Sequence, residues 1–318
     1  MPSLRDIKRR IKSVKNTRQI TKAMKMVSAA KLKKAQDDIL AARPYADKMT
    51  EFVASLAQKT TPESHPLLGG PVRGEGGEEG WGVEAGERGE GGEAAGKKIG
   101  VLLITSDRGL CGSFNAVLFR TIESFLSENS DSSISLYLIG KRAIEYFKRR
   151  SYAVINSRPA GSGRPNYSTA RATAEELIQR YIKGEFDEVR VIYSEFRSAL
   201  SQRPVMQNIL PIAPPLKEEA GEEGAALAAE AEIDAIYEPS AEAVLKDLLP
   251  KYIEVQVFRS LLESAASEHG ARMTAMDSAS KNASEMIDRL TLKYNRLRQA
   301  AITKELMEII GGAEALKG

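Results

Sequence analysis

The sequence predicts an α/β protein: a Rossmann-like domain with a mainly parallel sheet, set between two long terminal helices that form an antiparallel coiled coil. Three observations predict it. Near the start, Ile7, Ile11, Val14, Ile20, Met24 and Val27 recur at helical spacing, with no proline or glycine between Pro2 and Pro44. In the middle, short apolar runs alternate with amphipathic ones, the pattern of strands and covering helices. Near the end, steps of four and three from Leu262 land on Ala266, His269, Met273, Met276, Ser280, Ala283, Ile287, Leu290, Tyr294, Leu297 and Ala301. A seven-residue repeat held that long implies a left-handed coiled coil.

The elements follow in order. The first helix is expected to bend or restart at Pro44, continue through Tyr45, Met49, Phe52, Val53 and Leu56, and end by Pro62. Residues 69–96 hold 12 of the 25 glycines and seven glutamates, a composition that buries too little to offset its ordering entropy. Strands are then expected at 99–104, 133–139, 152–155 and 188–193. Helices are expected at 114–126, 142–148 and 169–182, with a further strand pair around 204–210. Pro211, Pro214 and Pro215 lead into a Glu/Ala/Gly loop at 217–232. After Pro250, Gly270 is the one glycine before Gly311, leaving about 60 residues of helix, ~90 Å long. The assigned domains are 1–61 (N-terminal coiled-coil helix), 62–98 (Gly/Glu-rich insertion), 99–239 (α/β domain, with a loop at 213–232) and 240–318 (C-terminal coiled-coil helix). The two helices are read as pairing within one chain; pairing between copies is the alternative. Small seam residues such as Ala266, Ser280 and Ala283 allow close approach of the partner.

Composition bounds the function. Of 318 residues, 42% are hydrophobic, enough for a core, and only 6% are aromatic. No run reaches the ~20 apolar residues of a membrane helix. One cysteine, Cys111, excludes an internal disulfide, and the two histidines, His65 and His269, lie far apart, so no metal or cofactor site is expected. The net charge of +3 hides an asymmetry: residues 1–36 carry twelve Lys or Arg and one acid, Asp6. Such a helix can face nucleic-acid phosphates, an anionic membrane, an acidic protein or plain solvent. No aromatic residue interleaves the charges, which disfavours nucleic acid.

The segment TSDRGLCGS at 105–113 follows a strand and precedes a helix, where α/β folds bind phosphate. It lacks both the Walker and the dinucleotide glycine patterns. Gly109 and Gly112 therefore read first as a tight turn, and a phosphate-binding enzyme is the second reading. Cys111 has no histidine near it in sequence, which argues against a nucleophile. Beyond Ala301, Ile302, Leu306, Ile309 and Ile310 leave the seam register, an apolar tip that suits an apolar socket.

These residues also carry a resemblance. LRDIKRRIKSVKNTRQITKAMKMV at 4–27, SDRGLCG at 106–112, ASEHGARMTAMD at 266–277 and YNRLRQAAITKEL at 294–306 closely resemble the gamma-subunit family of the F-type ATP synthases, in family order. The resemblance implies a central rotor shaft, one copy per complex, that passes torque from a proton-driven c ring to catalytic beta subunits and is itself non-catalytic. Implied partners are the alpha, beta and epsilon subunits and the c ring, with the membrane met only through that ring. The implied location is the cytoplasmic face of a bacterial cell membrane. By motif position, Met24 and Lys25 would lie near an acidic lever of a beta subunit. Arg298 and Gln299 would hydrogen-bond a beta-subunit loop. Arg272, on the exposed side of the coil, would help align the rotor. Ile302, Leu306, Ile309 and Ile310 would turn in an apolar bearing, and Tyr237 and Glu238 would approach the c ring and epsilon. Two features depart from the family pattern: the 69–96 insertion, and the absence of cysteine from 217–232, which excludes the dithiol switch of the chloroplast members.

Overall fold

The computed structural model describes residues 3–59, 65–69, 97–161, 163–212 and 240–315. The expected insertion at 69–96 and loop at 217–232 lie outside them, Gly69 apart. The elements are α1 (Leu4–Lys59), α2 (Pro66–Gly69), β1 (Lys98–Ile104), α3 (Phe114–Glu128), β2 (Ser133–Ile139), α4 (Lys141–Phe147), β3 (Ala153–Arg158), α5 (Tyr167–Ile182), β4 (Glu188–Phe196), β5 (Gln202–Leu210) and α6 (Ala241–Ala315). The chain divides into two compact units: Met1–Ala30 with Arg272–Gly318, and Lys31–Ala271.

In the larger unit the sheet order is β3-β2-β1-β4-β5. The first four strands pair in parallel, and β5 runs antiparallel to β4. The expected extra strand pair is thus one edge strand folded back on β4, an edge position that tolerates Pro204. Period-two alternation sorts β1 between two cores. Ile99, Val101 and Leu103 pack with Phe114, Leu118 and Ile122 of α3 and with Phe147 of α4. Leu102 and Ile104 face Ala174 and Leu177 of α5, together with Val53 and Leu56 of α1 and Leu249, Ile253 and Val257 of α6. Each large side chain fully withdrawn from water contributes about 1.5–3 kcal/mol. The long helices therefore do more than form a coil: their inner stretches roof one face of the sheet.

Two prolines behave differently from the sequence expectation. α1 runs unbroken through Pro44, and α6 starts at Ala241, ahead of Pro250. Pro44 denies a bond to the carbonyl of Leu40, whose residue is exposed, so water can take that acceptor. Around Pro250, buried Leu245, Leu249 and Ile253 hold both flanks of the helix in the core, and packing overrides propensity.

In the smaller unit, α1 and α6 pair antiparallel: Arg18 lies by Ser284, Thr21 by Ser280 and Lys25 by Asp277. Between Glu285 and Ala301, Ile287, Leu290, Tyr294, Leu297 and Ala301 are covered, and every other residue is exposed. That is the seam read from the sequence. On α1 the seam is different. Ile20 and Val27 are 61% and 58% exposed, whereas Thr21 and Ser28 are buried. The covered positions from Leu32 to Leu56 fix a heptad register, and extended backwards it passes through polar residues rather than the nearest apolar ones.

Glu188, at the start of β4, is buried and bonded by Arg190 and Lys97. Burial works against its charged form, but those two cations outweigh it and hold its pKa below the usual glutamate range. A depressed carboxylate stabilises the fold above its unfolded pKa and loses that contribution as pH falls through the folded value. The stability advantage of the native chain over Glu188→Gln, read from urea midpoints, is therefore expected to shrink below about pH 4.5. An advantage independent of pH would contradict this.

Candidate functional site

The loop between β1 and α3 is built from its own donors and acceptors. Lys141, Arg142 and Ala143 open α4, and their N–H groups would be free at a helix start. Here each has a partner in the loop: Asp107 Oδ1 at 2.9 Å, the Ser106 carbonyl at 3.1 Å and Thr105 Oγ1 at 3.1 Å. The Asp107 carboxylate also accepts from the N–H groups of Ala160 (2.9 Å) and Gly161 (2.8 Å). A protein carboxylate thus caps the start of α4. The phosphate-binding reading of 105–113 concerned the start of α3, and this geometry shows instead that the loop's first residues are committed to α4. Cys111 is buried, and the Asn115 amide donates to its sulfur at 3.3 Å; no histidine takes part among the contacts of the described residues. The segment acts as a structural latch joining β1, α4 and the end of β3.

Asp107→Ala is accordingly expected to cost about 1–2 kcal/mol, since it removes the charged acceptor shared by three N–H groups, two of which water can reach. Urea unfolding of the full chain measures it. Asp107→Asn, which keeps one acceptor oxygen, should cost less, and an unchanged midpoint in Asp107→Ala would refute the latch.

The other candidate residues are strung along the two-helix unit. Met24 is half-buried. Lys25 meets Asp277 at 2.6 Å, and Asp277 also meets Lys281 at 3.0 Å. The Lys25 bond, then that from Lys281, draws the Asp277 pKa below its usual value. With Thr21 Oγ1 2.7 Å from Ser280 Oγ, these groups form a polar clasp in the seam. Asp277 was inside a recognised motif, yet its role shows only once α1 is placed in register. Arg298 and Gln299 lie 21 positions further along α6, about 30 Å at helical rise, and both are exposed. The sequence candidates therefore do not converge on one pocket.

Arg272 is a correction. It was expected on the exposed side of the coil but is only 8% exposed. Heptad counting allows for one partner helix. α6 is already closely packed in the turn before Arg272, where Ser267 donates to the Ser194 carbonyl and Gly270 approaches Phe196 and Gln202 within the larger unit. Tyr237 and Glu238 lie outside the described residues.

Two surfaces stay open. Ile302, Leu306, Ile309 and Ile310 are 47–68% exposed. By the cross-helix register these positions lie past the start of α1 at Leu4, and among the described residues no partner helix faces them. On α1, eleven of the twelve cations in residues 1–36 are exposed, Lys25 being the exception. Beside them stand Ile20, Met26 and Val27, an exposed apolar group that the sequence reading had assigned inward or left out. A basic face with an apolar strip and a bare apolar tip are the exposed features this unit offers to a partner. Among the described residues, no helix is long and apolar enough to cross a membrane.

Comparison with known proteins gives one answer. The family model described as ATP synthase matches residues 3–316. The ATP synthase gamma chain of Geotalea daltonii is 50% identical over 320 residues, covering all of both chains. That of Trichlorobacter lovleyi is 48% identical over the same span and coverage. Among solved structures, the central stalk and c ring of the Tetrahymena thermophila mitochondrial ATP synthase contains a chain 25% identical, with a TM-score of 0.55, aligned over 82% of this chain and 99% of that one. A rotor chain of the Euglena gracilis mitochondrial ATP synthase shares the fold at a TM-score of 0.61 and 18% identity, over 94% of this chain and 98% of that one.

Proposed function

This chain belongs to the ATP synthase gamma-chain family, and from that premise we infer that it is the central rotor shaft of an F-type ATP synthase. The observation that carries this reading is the two-helix unit: a covered seam between α1 and α6, a basic face on α1 and a bare apolar tip on α6. A shaft needs that combination. The seam resists splaying, and the outer surface is left to meet the ring that surrounds it.

Torque from a proton-driven c ring turns the shaft inside alternating alpha and beta subunits. Its sides differ, so each beta subunit meets a different contact set, and differential contact is what shifts a conformational equilibrium. Lys25, Met24 and the exposed cations of α1 face an acidic lever on beta. Lys25 reaches it by exchanging its bond to Asp277, which Lys281 continues to neutralise. Arg298 and Gln299 hydrogen-bond a beta-subunit loop, and Ile302, Leu306, Ile309 and Ile310 turn in an apolar bearing. Arg272 helps align the rotor. Tyr237 and Glu238 approach epsilon and the c ring. The shaft performs no chemistry itself, binds no cofactor or nucleic acid, and meets the membrane, on its cytoplasmic face, only through the c ring.

Co-expression with the alpha and beta subunits tests this. The expected product is a complex containing one copy of this chain per three alpha and three beta subunits, with ATPase activity that depends on it. Recovery of an alpha–beta ring that excludes the chain, or of a stoichiometry other than one, would refute it.

A further inference from the structure

The larger unit contains a cavity of about 380 Å³ between α1, α5 and α6, which the rotor reading does not use. Ile39, Ala46, Val255 and Leu262 line it and are all buried, so its floor is apolar. Its mouth is at the surface, where Tyr45 and Tyr167 are 58% and 42% exposed and Arg43 is exposed beside them. The volume is at the lower end of small-molecule sites.

Most polar groups of the lining are already committed. Arg259 Nε donates to Glu263 Oε1 at 3.2 Å, and Arg259 Nη1 lies 3.7 Å from Asp47, so one guanidinium serves two carboxylates. The other Glu263 oxygen is shut off from solvent, so that side chain lends the cavity no acceptor. The Tyr167 hydroxyl donates to Glu254 at 2.7 Å. Arg43 is the exception: it has no hydrogen-bond or ion-pair partner among the described residues. Burial raises the Glu263 pKa, and the charges of Arg259 and Arg43 oppose that rise, which sets the Arg43 guanidinium on the cavity side of α1.

We propose that this cavity binds a small amphiphile with one carboxylate head and an apolar tail. The tail displaces water from the Ile39, Ala46, Val255 and Leu262 wall, and the head pairs with Arg43 at the mouth. A guanidinium is a donor only, and its planar fork meets a carboxylate with two parallel hydrogen bonds. An ammonium head would meet that cation with no open carboxylate in the lining to offset it. A hydroxyl head would leave the Arg43 charge unmatched. The site is independent of the rotor reading and would stand if that reading failed.

Three probes that share one apolar tail test it on the full chain near pH 7: octanoate, octanol and octylammonium, each titrated by saturation-transfer NMR. Octanoate is expected to bind saturably and about tenfold tighter than octanol, with octylammonium the weakest. Arg43→Gln should bring octanoate down to the affinity of octanol and leave octanol as it was; Arg43 is exposed, so the fold tolerates the change. Ala46→Leu, which places a larger side chain in the space, should abolish binding of both. Ala42→Leu provides the same test if that variant does not fold, since Ala42 lines the cavity and is only half-buried. No saturable binding of octanoate, which would leave water as the occupant, overturns the proposal. So does octanoate that binds no tighter than the other two probes, or whose binding survives Arg43→Gln or the filling variants unchanged.

Discussion

Gly140→Ala is expected to destabilise the larger unit by about 4 kcal/mol or more, enough to leave much of the protein unfolded at ordinary temperatures. Gly140 joins β2 to α4 with φ at 106° and ψ at 135°, a region essentially reserved for glycine. A Cβ there would lie 2.3 Å from the Thr105 carbonyl oxygen and 2.5 Å from Thr105 Oγ1. Neither neighbour can give way. The Thr105 N–H bonds the Ile139 carbonyl at 2.8 Å, and Thr105 Oγ1 accepts from Ala143 N–H. Gly140 itself donates to the Arg158 carbonyl at 2.8 Å, which ties the same corner to β3. Gly161→Ala separates the two effects. Its φ is 86°, but a Cβ there would meet nothing within 4 Å, so it carries only the backbone strain, about 1 kcal/mol. Urea midpoints of both variants in the full chain decide. Equal shifts would mean that the close approach to Thr105 costs nothing.

The same corner shows how far the sequence could be read. The alternating β/α pattern and the C-terminal heptads were legible because both follow a period that burial enforces. The first four strands began within a residue of their expected positions, and the α6 seam held from Leu262 to Ala301. What failed was the identity of the partner at each contact. Ile20 and Val27 were read as part of the apolar stripe, yet the covered positions are Thr21 and Ser28, and the Thr21 hydroxyl pairs with that of Ser280 across the interface. Arg272 was placed outward by the family resemblance, and it is buried. The 105–113 loop was located correctly between strand and helix, but its glycines drew attention while Asp107 supplied the answer. A lone aspartate in a loop has no pattern, and only the fold brings the N–H groups of Lys141, Ala160 and Gly161 to it.

Replacing Arg298 and Gln299 together by alanine is expected to lower the ATPase activity of the reconstituted complex roughly tenfold or more, with the isolated chain as stable as before. Stability should hold because both side chains are exposed and lie between the covered seam positions Leu297 and Ala301. Surface truncations of that kind stay within about 0.5 kcal/mol. The activity loss follows from the proposed role. If these two groups make contacts in only one of the states that a beta subunit visits, removing them removes a coupling free energy of about 1–3 kcal/mol, or roughly 5- to 150-fold. Arg298→Lys should recover only part of it, because an ammonium group cannot reproduce the planar fork of a guanidinium. The control is Lys293→Ala with Arg296→Ala, two exposed cations on the same stretch of α6 that the proposal leaves idle. A charge effect spread over the whole helix would make the control as damaging as the test pair. A specific contact at Arg298 and Gln299 leaves the control near native turnover, and equal losses in the two double variants would withdraw that contact from the mechanism.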